Sequence, residues 1–241
     1  MKKILFALCT LFVFIFAFTS CDSAESTSEG YIQGLYTIDR NFVRPELKDT
    51  VYYKVKNIGE HGLQDGDRAY LTLGYEIDNY TGMAEYYIKS VEGIIPVSGL
   101  TAAADIDTEI YSSPIIGLRK VLINTEVASA MWLWKNFQNI SIDYRSNGAE
   151  GDFKLSPVKL EGDTLCFALN AKIEDGDKYI TKLLSFDISS AANMLPDEEK
   201  DKLVALDSIY TKITTLWYDE YNDTTRIAYP FGGKYKNCFK N

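Results

Sequence analysis

Four cysteines, one histidine, 34 carboxylates and three tryptophans are the residues of this 241-residue sequence best suited to act as nucleophile, base, metal ligand or stacking surface. The most constrained of them is Cys21. It follows Met1-Lys2-Lys3, an almost wholly apolar run from Ile4 to Phe18, and Thr19-Ser20. A basic start, an apolar middle and a small-residue exit make a secretory signal. A cysteine at the exit is placed to take a diacylglycerol on its thiol before cleavage. Residues 1–20 are therefore expected to be a lipoprotein signal peptide, and Cys21 the lipid attachment site, carrying palmitate. The apolar run is shorter than the roughly 20 residues of a membrane span, and polar residues follow at once, which disfavours a retained helix.

The remaining chemistry is sparse. Cys9 leaves with the signal, so Cys166 and Cys238 either join in an oxidising envelope or stay free, Cys166 inside a strand and Cys238 in the tail. His61 lies between Glu60 and Gly62 without a His-Glu-x-x-His or Cys-x-x-Cys partner, and reads as a solvated loop residue. Gly-x-Ser-x-Gly, P-loop and Gly-x-Gly-x-x-Gly motifs are missing from the sequence. We therefore expect no catalytic residue, no metal and no cofactor, and a chain that is not an enzyme. A carboxylate pair alone can serve a glycosidase, which stays open as a remote alternative. Asp65, Asp67, Asp175 and Asp177 flank Asp-Gly turns outside any calcium-loop frame, so they read as turn residues. Trp132 and Trp134 share one face of a strand by alternation. They make either a stacking platform for a sugar or, more commonly for such residues, part of a β-core.

The elements that would hold these residues are mostly strands. Period-two patterns occur at Val51 to Val55, Ala69 to Ile77, Tyr86 to Val91, Trp132 to Tyr144, Leu165 to Ile173 and Ile180 to Ile188. The last two bracket Glu174-Asp175-Gly176-Asp177-Lys178 and read as a hairpin. Another strand pair is expected from Lys212 to Tyr221 and Thr225 to Tyr229. Pro196 followed by Asp197, Glu198 and Glu199, with Leu203, Leu206 and Tyr210 at helical spacing, predicts one short helix. Residues 21–33, rich in Ser, Thr, Glu and Gly, read as a flexible acylated tether. Pro96 to Ala104 is the best internal boundary and divides the chain at residues 34–99 and 100–241. Short strands with regular turns suggest a barrel or sandwich. The net charge of −9 falls to about −11 once Lys2 and Lys3 leave, which argues against nucleic acid as a partner.

Three further stretches, with the lipoprotein start, resemble the NigD-like lipoproteins of Bacteroidetes. They are Leu63-Gln64-Asp65-Gly66-Asp67-Arg68-Ala69-Tyr70-Leu71, Asn136-Phe137-Gln138-Asn139-Ile140-Ser141-Ile142-Asp143-Tyr144, and Leu184-Ser185-Phe186-Asp187-Ile188-Ser189-Ser190. The resemblance implies a mostly β fold with an N-terminal OB-type barrel over 34–99, a C-terminal β-sandwich over 100–241 and one short helix. Phe167-Ala168-Leu169-Asn170-Ala171 departs from the family's Leu-Arg-His-Asn pattern, so no role passes to a histidine there. The family name comes from a bacteriocin cluster, with an immunity role. Asp22-Ser23-Ala24 is similar to a Bacteroidetes O-glycosylation acceptor, which makes Ser23 a candidate site. The expected function is a non-enzymatic envelope lipoprotein, held at the outer membrane on its periplasmic or surface face through Cys21, that binds a protein or glycan partner. A glycan-binding accessory of a polysaccharide-uptake system is the alternative.

Overall fold

The computed structural model describes residues 27–48, 50–123, 127–218, 224–230 and 234–240. Cys21, Ser23 and the stretch expected to be a signal peptide lie outside them. The described chain is mostly strand, with one α-helix and several sheets.

The first sheet holds β1 (Thr27–Asp39), β2 (Phe42–Pro45), β3 (Tyr53–Lys54), β4 (Arg68–Asp78) and β5 (Ala84–Ile94), in the order β3-β2-β1-β4-β5. Alternation sends Tyr36, Ile38, Val43, Ala69, Leu71, Leu73 and Ile88 to one inner cluster. The two edges approach at an isolated bridge between Val55 and Tyr86, and the Lys56 amide donates to the Tyr86 carbonyl at 3.3 Å. The sheet curls toward itself without a continuous closing ladder, so it is not a closed barrel.

The structure corrects one expectation here. The tether expected through residue 33 gives way to β1 at Thr27, which pairs with Asp78 and keeps register with β4 up to Thr37 and Arg68. Ladder hydrogen bonds use the backbone, so a neighbouring strand can order a polar, glycine-bearing stretch that has little to bury alone. Two glycines show how. Gly30 lies opposite Tyr75 and Gly74 opposite Tyr87, and a Cβ on either would meet the facing ring at 2.3 Å. Each ring lies over the bare backbone and covers it.

The rest of the chain builds two larger sheets. One contains β6 (Val97–Gly99), β7 (Gly117–Leu118), β10 (Met131–Trp134), β11 (Phe137–Ser146) and β14 (Lys178–Asp187), ordered β10-β11-β14-β6 with β7 also on β11. The other contains β12 (Asp152–Glu161), β13 (Thr164–Lys172), β15 (Ser208–Tyr218), β16 (Thr224–Pro230) and β17 (Tyr235–Lys236), ordered β12-β13-β15-β16 with β17 on β15. Ile140, Ile142 and Phe186 from the first and Leu155, Phe167 and Ile213 from the second share one core. A small antiparallel pair, β8 (Val121–Ile123) with β9 (Val127–Ser129), forms a sheet of its own, with Ile123 packed against Leu35 of β1.

Two more expectations change. The stretch read as one run from Trp132 to Tyr144 is a hairpin, reversed at Lys135-Asn136 between Trp134 and Phe137. Lys135 takes φ of 53°, a left-handed conformation, so no glycine marked the turn. The runs at Leu165 and Ile180 are strands but not partners: β13 pairs with β12 and β15, and β14 with β11 and β6. The segment between them crosses from one sheet to the other. The Asn147 amide donates to the Glu174 carbonyl at 3.2 Å, and Gly176 packs so closely on Asn147 that a Cβ would lie 2.4 Å from its nitrogen.

The helix α1 (Asp197–Ala205) forms where predicted, with Asp197, Glu198 and Glu199 in its first turn, where carboxylates complement the unpaired amides. It is shorter than the spacing implied. Leu203 is buried, but Leu206 caps the end and Tyr210 belongs to β15.

Candidate functional site: the junction between the sheets

The three stretches that carried the family resemblance are far apart in sequence and meet at one buried point. Arg68 opens β4 and is 2% exposed, and Glu46 follows β2 and is fully buried. The Arg68 guanidinium donates to the Glu46 carboxylate from Nε at 2.8 Å and again from Nη2. It also donates to the Asn139 side-chain oxygen on β11 at 2.9 Å and to the Ser185 hydroxyl on β14. Its guanidinium carbon lies 4.6 Å from the Phe137 ring centroid. The second Glu46 oxygen accepts the Trp132 indole N–H at 2.9 Å. Burial pushes the Glu46 carboxyl upward, and the Arg68 charge with the two donors opposes it. This arrangement ties the curled sheet to the β10-β11-β14 sheet. Its chemistry is that of a clamp, since every polar atom named is engaged by another protein group.

The Asp-Gly-Asp turn just before Arg68 also has a structural task. Asp65 accepts the Arg40 amide at 2.9 Å, Asp67 accepts the Gln64 amide at 2.7 Å, and Gly66 takes φ of 90°. Asp175 accepts the Gly176 amide at 3.0 Å. His61 sits in a 3-10 turn (Ile58–His61), with Nε2 3.1 Å from the Ile88 carbonyl. It is half-buried against that strand. Cys166 and Cys238 are both free. Burial raises both thiols, Cys238 to about 11.

Trp132 and Trp134 do point the same way, as alternation required. They are 1% and 4% exposed and pack with Leu35, Ile95 and Ile123, between the curled sheet and β10, while Met131 and Leu133 enter the core of the two larger sheets. The tryptophans thus fill a third cluster that the sequence did not reveal.

Above that cluster lies an apolar groove of about 510 Å3. Its floor includes Leu35 and Trp132, one wall is Ile94-Ile95-Pro96 at the end of β5, and the other is Val121-Leu122-Ile123 of β8. Ile94 and Leu122 are about half exposed on its rim. Tyr70 and Glu92 add polar groups. Glu92 accepts hydroxyls from Thr72 and Ser90 at 2.7 Å, and burial followed by the Glu92 charge raises the Tyr70 phenol. The groove can hold an aliphatic group and orient it by one carboxylate and one phenol. Sequence reasoning passed over it, although two short apolar runs, Ile94-Ile95-Pro96-Val97 and Val121-Leu122-Ile123, were its available signal.

No protein-family model and no curated protein matches this chain. Solved structures do match in fold. A protein from Bacteroides fragilis described as a lipoprotein is 15% identical, with a TM-score of 0.55 over 85% of this chain and 96% of that one. A toxin-related protein from Parabacteroides distasonis is 14% identical, with a TM-score of 0.51 over 87% and 94%. A NigD-like immunity protein from Bacteroides caccae is 14% identical, with a TM-score of 0.48 over 84% and 97%. At these identities the likeness is one of fold. The chain shares the fold of the first two, and its structural neighbours include a NigD-like immunity protein, the family its motifs resemble.

Proposed function

We propose that this chain is a non-enzymatic envelope lipoprotein, held at the outer membrane through Cys21, which binds a protein partner in the groove between β5 and β8. The observation that carries the reading is the lining of that groove. A concave aliphatic site with a few convergent polar groups recognises ligands by burial of apolar area. Sugar recognition would call for an exposed aromatic face, and both candidate tryptophans are buried, Trp132 in the groove floor and Trp134 outside the lining. Next to Pro96, β6 ends its sheet with all three residues exposed. An extended partner segment adds there as a further strand and places apolar side chains in the groove. We read the curled sheet as an OB-type barrel and the two larger sheets as a β-sandwich. An immunity-type role is one version of this function, in keeping with the name of one neighbouring structure, and Ser23 is the O-glycosylation candidate. The acidic net charge sets nucleic acid aside as a partner.

Photo-crosslinking in cells tests the proposal. A crosslinker at Leu122 should give a discrete protein adduct that Ile94→Glu abolishes, whereas one at the exposed Tyr179 should give none. Equal adducts at both positions, or an adduct indifferent to Ile94→Glu, would refute it. Binding on a glycan array would favour the polysaccharide-uptake alternative, and hydrolysis of a glycan would favour the glycosidase.

A further inference from the structure

The curled sheet has a distinct end, and the start of the described chain emerges from it. Thr27, the first residue of β1, pairs with Asp78, the last of β4, so the β4–β5 turn and the incoming chain lie side by side. That turn, Asn79-Tyr80-Thr81-Gly82-Met83, contains no charged side chain. Tyr80 and Met83 are 86% and 70% exposed, more than any other large apolar residue described. The Asp78 carboxylate is engaged by the turn itself, where it accepts the Tyr80 and Thr81 amides at 2.8 and 3.1 Å. These backbone donors hold its carboxyl below the usual range, so it stays ionised and in place.

Covalent length adds the second half of the argument. Five residues separate Cys21 from Thr27. Six Cα steps span at most about 22 Å, at roughly 3.3–3.6 Å each. The other end of β1 and β4, at Thr37 and Arg68, is ten register steps away, or about 33 Å at roughly 3.3 Å per residue. A lipid on Cys21 therefore sits near the Tyr80 end.

We infer that the 79–83 turn docks on the bilayer holding the anchor, with Tyr80 and Met83 entering its interface. This rests on the lipoprotein reading of Cys21. Tyrosine suits such a place because its ring is apolar and its hydroxyl remains in the polar layer. One acyl-bearing residue with a second apolar contact fixes orientation as well as attachment. The long axis of β1 then stands away from the membrane, and the groove and the larger sheets are held tens of ångströms above it.

The test uses the lipidated full chain reconstituted in phosphatidylcholine vesicles containing brominated lipid. Tyr80→Trp places a quenchable reporter at the turn, and Gln64→Trp places one in the exposed turn at the opposite end. After subtraction of the wild-type signal, the Tyr80→Trp emission should fall by half or more and the Gln64→Trp emission by less than a tenth. Adding Met83→Asp to Tyr80→Trp should at least halve the quenching while palmitate labelling persists. Palmitate incorporation with equal quenching at both positions would overturn the docking alone. Absence of palmitate would overturn the anchor reading, and the docking with it.

Discussion

Replacing Arg68 by methionine removes a buried cation while keeping most of its volume, and leaves Glu46 facing an apolar side chain. Arg68 makes two hydrogen bonds to Glu46 and one each to Asn139 and Ser185, all from a site 2% exposed. Breaking a buried ion pair by deleting one partner costs about 3–5 kcal/mol, mostly the cost of the charge left behind. For a chain of this size each kcal/mol moves Tm by roughly 2–4 °C, so Arg68→Met should lower it by about 6–20 °C. The loss should depend on pH. Without Arg68, the charge that most opposes desolvation of Glu46 is gone, and the carboxyl rises further. A carboxyl whose folded value lies above its unfolded one favours folding most when protonated, and that contribution fades as pH climbs through the folded value. The gap between variant and wild type should thus be widest at pH 7 and narrow toward pH 5. Circular dichroism melts at several pH values measure it. Glu46→Leu combined with Arg68→Met should cost less than the two single changes added together, because neither charge is then orphaned. A Tm shift under about 2 °C, a gap that widens in acid, or strict additivity would refute the clamp.

Three other outcomes are expected. Trp134→Ala should lower Tm by about 6–20 °C from roughly 3–5 kcal/mol of lost burial, and Trp132→Phe should cost more than Trp134→Phe because only Trp132 donates to Glu46; near-unchanged melting of Trp134→Ala would contradict its packing. Cys238, its thiol raised to about 11 by burial, should alkylate under native conditions at pH 8 about 100-fold more slowly than a free cysteine, with a rate that climbs as pH rises; labelling within minutes would count against that burial.

Strands whose two faces differ were legible from the sequence. In β4 one face is Ala69, Leu71 and Leu73, all fully buried, and a period-two pattern states this directly. β1 was not legible at its start, because residues 27–33 are ordered by hydrogen bonds to β4 and by Tyr75 lying over Gly30, neither of which is local. The β13–β14 connection misled for a related reason. Asp175-Gly176-Asp177 is a good reversal signal, yet what decides whether two strands pair is the faces they bury. Phe167 and Phe186 reach one core from opposite sheets.

The junction shows why a resemblance can be read from residues whose role cannot. Within its own stretch, Arg68 follows a turn and precedes an apolar strand, and nothing there distinguishes a surface arginine from a buried one. Asn139 alternates with apolar residues and looks like the solvent side of a half-buried strand, and Ser185 does the same. Their polarity is useful only together, since one guanidinium has five donors in a fixed fork and each buried donor needs an acceptor. Glu46, Asn139 and Ser185 supply those acceptors from three separate strands or loops. Substituting any one of them strands a buried donor at a cost of about 1–3 kcal/mol. These short motifs are chemically undiagnostic because what they specify is a contact between sheets. The groove beside that contact inherits its shape from the same clamp: Glu46 holds the Trp132 indole, and Trp132 forms part of the groove floor. A partner that fills the groove would therefore sense the Arg68–Glu46 pair through Trp132, although it touches neither charge.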